Sequence, residues 1–319
     1  MTPELFENSR RFRLLEHEAS LIRLNDYYGD RRVYLYTDDP EDFAGGGNKV
    51  RFYEYLIPEI IDAKPDFILT SGSKYSNHIR VTSEVCKRLS IGCTLLIEAD
   101  EPSDGCEMPN VRIARENGAE IVYIGSFAAM LKINEYANRL RSEGKNFFHV
   151  PNAGHRPGAV RAYAGVIADA VMYLDGFDLF PSHVWLPCAS GTTMAGVLAG
   201  KSVLRGYGIN MPPVSAVAVG GPVKGAVKGV RTLLKEASEE IAGFPEVNDE
   251  PVVTDCGKND YGCPDEELLS LRDGIYKNEG ILLDKTYNIN AFYGMKKSAE
   301  SDPGCGPLLY ICTGGYTGD

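Results

Sequence analysis

From residue 67 to residue 312 short β-branched and aromatic runs alternate with longer stretches whose apolar residues recur at helical spacing. Residues 67–70, 93–97, 120–124, 146–150, 184–186, 214–219, 252–254 and 308–312 read as strands, with a further apolar run at 281–283. Helical patterns separate them at about 81–89, 110–114, 127–142, 159–174, 223–241, 265–278 and 289–297. Strands joined through helices this long pair in parallel through right-handed crossovers, because antiparallel neighbours are joined by short turns. Ahead of this series one helix is expected before Asp42, followed by a strand at 32–36 and a helix over 51–63 ended by Pro65. The loop at 152–158 divides two such series, and 319 residues suffice for two domains. The expected fold class is therefore α/β, with two doubly wound domains and mostly parallel sheets. Ligands in such folds bind beyond the carboxyl ends of the strands, so chemistry is sought in the loops there.

Three of those loops carry it. Gly45-Gly46-Gly47-Asn48-Lys49-Val50-Arg51 is a glycine run that delivers one lysine, and Ser71-Gly72-Ser73-Lys74-Tyr75-Ser76-Asn77-His78 follows the next strand. Glycine lets backbone approach a flat ligand, and a lysine amine forms Schiff bases with carbonyls. Taken alone, the run equally fits a turn before a solvated lysine. The third stretch, Val184 through Gly196, runs from an apolar strand through Cys188-Ala189-Ser190-Gly191-Thr192 into a helix expected to begin near Thr193. Free N–H groups and the helix dipole meet there, which suits a phosphate. A lysine for an aldehyde and a cup for a phosphate are the two anchors of pyridoxal 5′-phosphate.

Other classes are poorly served. A net charge of −11 argues against a nucleic-acid footprint, and no apolar run is long enough to span a bilayer. The eight cysteines form no C-x-x-C pair and the five histidines show no zinc spacing, so no metal is expected and the thiols read as reduced. Residues 1–11 lack the apolar core of a secretory signal, so a cytoplasmic enzyme is expected. No G-x-G-x-x-G follows an early strand, which disfavours a nicotinamide dehydrogenase, and Gly220-Gly221-Pro222-Val223-Lys224-Gly225 lacks the Walker ending.

The sequence resembles the D-cysteine desulfhydrase and 1-aminocyclopropane-1-carboxylate deaminase family of fold type II, tryptophan synthase β-like, pyridoxal-phosphate enzymes. The resemblance is carried in order by residues 43–51, by Ser76-Asn77-His78, by Asp260-Tyr261-Gly262-Cys263-Pro264, by Leu283-Asp284-Lys285-Thr286-Tyr287 and by Cys312-Thr313-Gly314-Gly315. It implies that Lys49 bonds the cofactor aldehyde, that Ser190, Gly191, Thr192 and Thr193 hold the phosphate, and that Asn77 hydrogen-bonds the ring hydroxyl. Ser76 would sit beside the substrate α-carbon and carboxylate, with Tyr75, Asn77 and His78 around the substrate. Thr313 matches a residue whose hydroxyl faces the pyridine nitrogen in the desulfhydrase branch, and Tyr261 and Tyr287 match tyrosines of the substrate pocket, either of which could protonate a leaving group. The resemblance also implies a small amino-acid substrate, a homodimer, a large domain of residues 1–50 plus 158–319, and a smaller inserted domain of 51–157.

Departures bear on the substrate. The deaminase branch carries a glutamate where this chain has Asn288, and a glutamine where it has His78. A neutral amide cannot keep a ring nitrogen protonated as a carboxylate does, so ring opening of a cyclopropane is disfavoured against β-elimination to a 2-oxo acid and ammonia. Ser73-Lys74-Tyr75 replaces the Gly-Ile-Gln usual in the family, so a reshaped pocket running β-substitution or racemisation stays open, as does a non-catalytic ligand-binding relative.

Overall fold

The computed structural model describes residues 10–314 apart from 29, 104, 178, 259, 260, 302, 303 and 305, and apart from the side chain of residue 27. The motif residues Asp260 and Gly315, and Cys305, lie outside the described residues. One sheet has six strands in the order β1-β2-β10-β7-β8-β9, from Ser20–Tyr28, Arg31–Thr37, Leu308–Ile311, His183–Cys188, Val214–Ala218 and Val252–Thr254. All its pairs are parallel except β1 with β2. The other sheet has four parallel strands in the order β5-β4-β3-β6, from Glu120–Tyr123, Gly92–Ile97, Phe67–Gly72 and Phe147–His149.

Nine helices connect the described strands: α1 (Asn48–Ala63), α2 (Asn77–Leu89), α3 (Pro109–Glu116), α4 (Ala129–Ser142), α5 (Pro157–Asp175), α6 (Thr192–Gly206), α7 (Val223–Glu240), α8 (Glu266–Glu279) and α9 (Asn288–Ser301). Strand side chains alternate between faces, and the cores record it. Leu309 and Ile311 of β10 join Val184 and Leu186 of β7 in the core under α5 and α6, whereas Leu308, Tyr310 and Trp185 enter a second core with Phe292 of α9. In the smaller sheet Ile68, Leu95 and Ile97 face the first core, while Leu69 and Leu96 meet Ile133 and Leu140 of α4. Helices on both faces are what a doubly wound sheet requires.

Three expectations change. Among described residues before Asp42 there is no helix, and residues 20–28 form β1, an antiparallel edge strand held by the register Ser20↔Thr37 to Tyr28↔Arg31. Its apolar residues alternate only loosely and include two tyrosines, a pattern that pairing with β2 resolves. The apolar run at 281–283 is not a strand: Leu283 is buried in the second core and its carbonyl accepts from Arg272 Nε at 2.8 Å. Helix α1 begins at Asn48, ahead of the expected 51, which puts Lys49 in its first turn.

Pro58 lies inside α1 and has no N–H to give the Glu54 carbonyl one turn earlier. That carbonyl accepts instead from Phe12 N at 2.8 Å. The fully buried Glu54 carboxylate accepts from Leu14 N and Leu15 N at 2.9 and 3.1 Å and from both Arg11 Nε and Nη2. One turn of helix thus straps residues 11–15 to the core. Replacing Glu54→Ala leaves two buried N–H groups without partners, and we expect a loss of about 2 to 5 kcal/mol in urea unfolding. Glu54→Gln should recover part of it; a loss under about 0.5 kcal/mol would contradict the strap.

Candidate active site

Three neighbouring strands of the large sheet, β2, β10 and β7, end side by side and supply Asp38, Thr313 and Ser190. The glycine run enters between them. Residues 44–47 all have positive φ, from 49° at Ala44 to 86° at Gly47. A Cβ on Gly47 would stand 2.4 Å from the Thr313 carbonyl oxygen, so only glycine fits that crossing. The Gly47 N–H donates to the buried Asp38 carboxylate at 2.8 Å, Asn48 N donates to Thr313 O at 2.9 Å, and Arg51 closes an ion pair with Asp38. The lysine that follows is therefore held from both sides.

Lys49 is buried, and its Nζ donates to the Ala153 carbonyl at 3.0 Å and lies 5.0 Å from the Phe52 ring centroid. Ala153 turns that carbonyl inward from a left-handed φ of 64°, an uncommon conformation for alanine. Burial lowers the Lys49 ammonium from its ordinary range to about 7. Lys49 also lines a pocket with Asn77, Ser190, Gly191, Thr192, Thr193, Tyr287 and Thr313.

The cup forms as the spacing suggested, one residue earlier. α6 starts at Thr192 with Gly191 as its N-cap at φ 98°, and no side chain caps it. Its first-turn N–H groups have no intrahelical partner, and its first residues, Thr192, Thr193 and Met194, line the pocket with Ser190, whose hydroxyl is 3.3 Å from that of Thr192. A Cβ on Gly191 would meet Val230 N at 2.6 Å. Asn48 Nδ2 donates to Thr193 Oγ1 at 3.1 Å, tying the cup to the lysine turn.

From the smaller sheet, the loop after β3 brings Ser76 as N-cap of α2, its hydroxyl accepting from His78 N at 3.2 Å. His78 is fully buried, stacked on Tyr53, and lies outside the pocket lining. Thr70 Oγ1 donates to Val150 O at 2.6 Å, so its 2.9 Å contact with His78 is a donation from Nε2–H, which leaves Nδ1 as the acceptor. Burial lowers the imidazole to about 3, so the ring stays neutral at working pH. The geometry gives His78 a part in holding α2 in place, with no exposed atom for a ligand.

Tyr287 and Tyr261 share a short hydroxyl–hydroxyl hydrogen bond, with rings T-shaped at 5.5 Å, and burial raises both phenols, Tyr287 well above the usual range. Tyr75 meets Tyr261 edge to face at 6.2 Å. Only Tyr287 of the three lines the pocket.

Four supporting residues escaped sequence reasoning. Asp38 and Ala153 hold the lysine turn. Asn110, expected as an N-cap, lies within α3 after Met108 and Pro109, and its Nδ2 reaches Tyr75 O at 3.0 Å and Asn77 Oδ1 at 3.4 Å. Asp284 is buried and accepts from Thr286 N, Tyr287 N and Asn288 N at 2.6 to 3.0 Å. Asn288 in turn gives Nδ2 to Asp284 and to Gly314 O, and takes Thr313 N at 3.0 Å on Oδ1. A cap-type Asp before a helix is a visible signal; the others depend on contacts between distant residues.

A family profile described as pyridoxal-phosphate dependent enzyme matches residues 16–314. A protein of Pyrococcus horikoshii named as a 1-aminocyclopropane-1-carboxylate deaminase is 30% identical, over 90% of this chain and 85% of its own. A D-cysteine desulfhydrase of Serratia proteamaculans is 28% identical, over 92% and 89%. The crystal structure of an ACC deaminase homologue superposes with a TM-score of 0.83 at 27% identity, covering 98% of this chain and 94% of that one. Threonine deaminase isoform 2 of Solanum lycopersicum, at 12% identity and a TM-score of 0.65, shares the fold over 99% and 82%.

The pocket predicts an unusual amine. In protein freed of cofactor, reductive methylation of Lys49, followed by peptide mass spectrometry, should rise with pH through a midpoint of about 7. Exposed lysines should follow near roughly 10.4. A Lys49 midpoint above about 9 would contradict the burial argument.

Proposed function

The chain belongs to the pyridoxal-phosphate-dependent enzymes, its cofactor is pyridoxal 5′-phosphate, and from that premise we propose an amino-acid lyase of the D-cysteine desulfhydrase type. The observation that carries it is a buried lysine amine that titrates near 7 and an uncapped helix N-terminus in one pocket whose described lining contains no carboxylate. These residues fit the cofactor. Lys49 would hold it through the aldehyde carbon, the first turn of α6 with Ser190, Gly191, Thr192 and Thr193 through the phosphate, Asn77 through the ring hydroxyl, and Thr313 at the ring nitrogen. When bound, the cofactor supplies an electron sink for the charge left on the substrate α-carbon.

The remaining work falls to side chains. Lys49 Nζ takes the α-proton, for which an amine titrating near 7 is well matched. Ser76 orients the substrate carboxylate. The Tyr261–Tyr287 pair, kept protonated by burial, gives a proton to the β-substituent as it departs with its bonding pair. Hydrolysis then yields a 2-oxo acid and ammonia.

Elimination is favoured over cyclopropane opening because Asn288 is neutral and committed: its amide is spent on Asp284, Gly314 and Thr313. The ring nitrogen would meet the Thr313 hydroxyl rather than a charge. We propose further that residues 51–157 form an inserted domain on residues 1–50 plus 158–319, and that the enzyme is a cytoplasmic homodimer. Support for the dimer is the exposed apolar end of α5 and the loop beyond it, with Tyr173 and Phe177 each more than half exposed.

Loaded enzyme should release 2-oxo acid, ammonia and sulfide from D-cysteine, with 1-aminocyclopropane-1-carboxylate turned over at least about 100-fold more slowly. Tyr287→Phe should lower kcat by about 10²-fold while α-proton exchange in heavy water persists. Exchange without 2-oxo acid from any β-substituted amino acid would replace elimination by racemisation or substitution.

A further inference from the structure

Tyr75 stands in the loop that links β3 of the smaller sheet to α2, yet its ring rests on the larger half of the molecule. A Cβ on Gly262 would lie 2.8 to 3.0 Å from three atoms of the Tyr75 ring, and Gly262 has φ 79°. Gly220 does the same for Tyr261, three of whose ring atoms would lie 2.5 to 3.4 Å from a Cβ there. Two side-chain-free positions thus seat two aromatic rings in sequence. Tyr75 meets Tyr261 edge to face, Tyr261 meets Tyr287 edge to face and by hydrogen bond, and Tyr287 lines the lysine pocket.

The ring is also fixed from behind. Tyr75 N donates to Ser73 Oγ at 3.3 Å, Tyr75 O accepts from Asn110 Nδ2 at 3.0 Å, and the phenol oxygen lies 3.9 Å from Cys263 Sγ. Lys74 Nζ stands 5.3 Å from the ring centroid. A loop this well anchored on one side, with its aromatic face pressed on the other, reaches from the smaller sheet to Tyr261 and through it to Tyr287 of the pocket lining.

We propose that the Tyr75 ring, seated on Gly262, is a latch that closes the two halves over the pocket and limits it to amino acids with short side chains. The second part rests on the lyase reading; the latch itself does not. An amino acid enters when the ring leaves Gly262, and a β-substituent longer than a thiol meets the Tyr75–Tyr261 pair when it returns. The ring face makes the contact, so Phe suffices and Ala does not.

Holoenzyme carrying Tyr75→Phe, Tyr75→Ala or Gly262→Ala is tested in two ways. Alkylation of Cys263, exposed but with its Sγ 3.9 Å from the Tyr75 phenol oxygen, by iodoacetamide is followed by peptide mass spectrometry against Cys106, which is also exposed. Tyr75→Ala and Gly262→Ala should speed it several-fold, and Tyr75→Phe should leave it near the wild-type rate. The ratio of kcat/KM for O-benzyl-D-serine over D-cysteine should rise about 10- to 100-fold in Tyr75→Ala. Unchanged Cys263 reactivity in both alanine variants, or Phe behaving as Ala, overturns the latch. Faster alkylation with an unchanged substrate ratio overturns the size limit. Faster alkylation in protein that turns over no amino acid upholds the latch and sinks the lyase reading instead.

Discussion

Two backbones cross at Gly47 and Gly314 with no room for a side chain on either. A Cβ on Gly314 would lie 2.6 Å from Gly47 Cα, and one on Gly47 would lie 2.4 Å from Thr313 O. This crossing sets where β10 ends and where α1 begins, and so sets Lys49 two residues beyond, in the first turn, and Thr313 beside it. Asp38 adds direction: its carboxylate takes the Gly47 N–H and pairs with Arg51, so the end of β2 is locked to the first turn of α1. A charge-assisted bond of this kind is short and directional, which suits a part whose job is placement.

The electrostatics follow from what surrounds that crossing. The chain carries a net charge of −11, yet the described pocket lining consists of amides, hydroxyls, a thiol, apolar side chains, backbone and one lysine. Acid groups near it are spoken for. Asp38 is paired with Arg51, and Asp284 is buried under three backbone N–H groups and the Asn288 amide, which offset only part of the upward pull of burial, so its carboxyl stays raised. With no carboxylate to hold its proton and burial disfavouring the charge, about half of the Lys49 amine is unprotonated near pH 7 and free to act as a base. On the proposed function the same absence would leave the cofactor's ring nitrogen against the Thr313 hydroxyl rather than a carboxylate, the feature on which the elimination reading turns.

Much of this was legible before the structure, and the reason is locality. Strand and helix periods are short-range patterns, so the β3 to β10 series was readable, as was the cup at Ser190–Thr193, because a strand, small residues and a helix start follow one another in the chain. The glycine run announced a close approach but not its partner, since Thr313 lies some 265 residues downstream. β1 was misread because an edge strand has one wet face and little of the apolar alternation that marks a strand. His78 looked like a ligand residue beside Ser76 and Asn77; the first turn of α2 rotates it into the core, where Tyr53 and Thr70 hold it. Asn110 and Asn288 were invisible as supports because a buried amide is chosen by what lies opposite it, which the sequence does not display.

The central claim is that the glycine crossing delivers Lys49, and no other lysine, to the cofactor. It is tested most directly by reducing the purified holoenzyme with borohydride, digesting it and locating the pyridoxyl group by peptide mass spectrometry. The account predicts the group on Lys49, with Lys49→Ala carrying none. A pyridoxyl group on a different lysine, or an undiminished yield from Lys49→Ala, would contradict it.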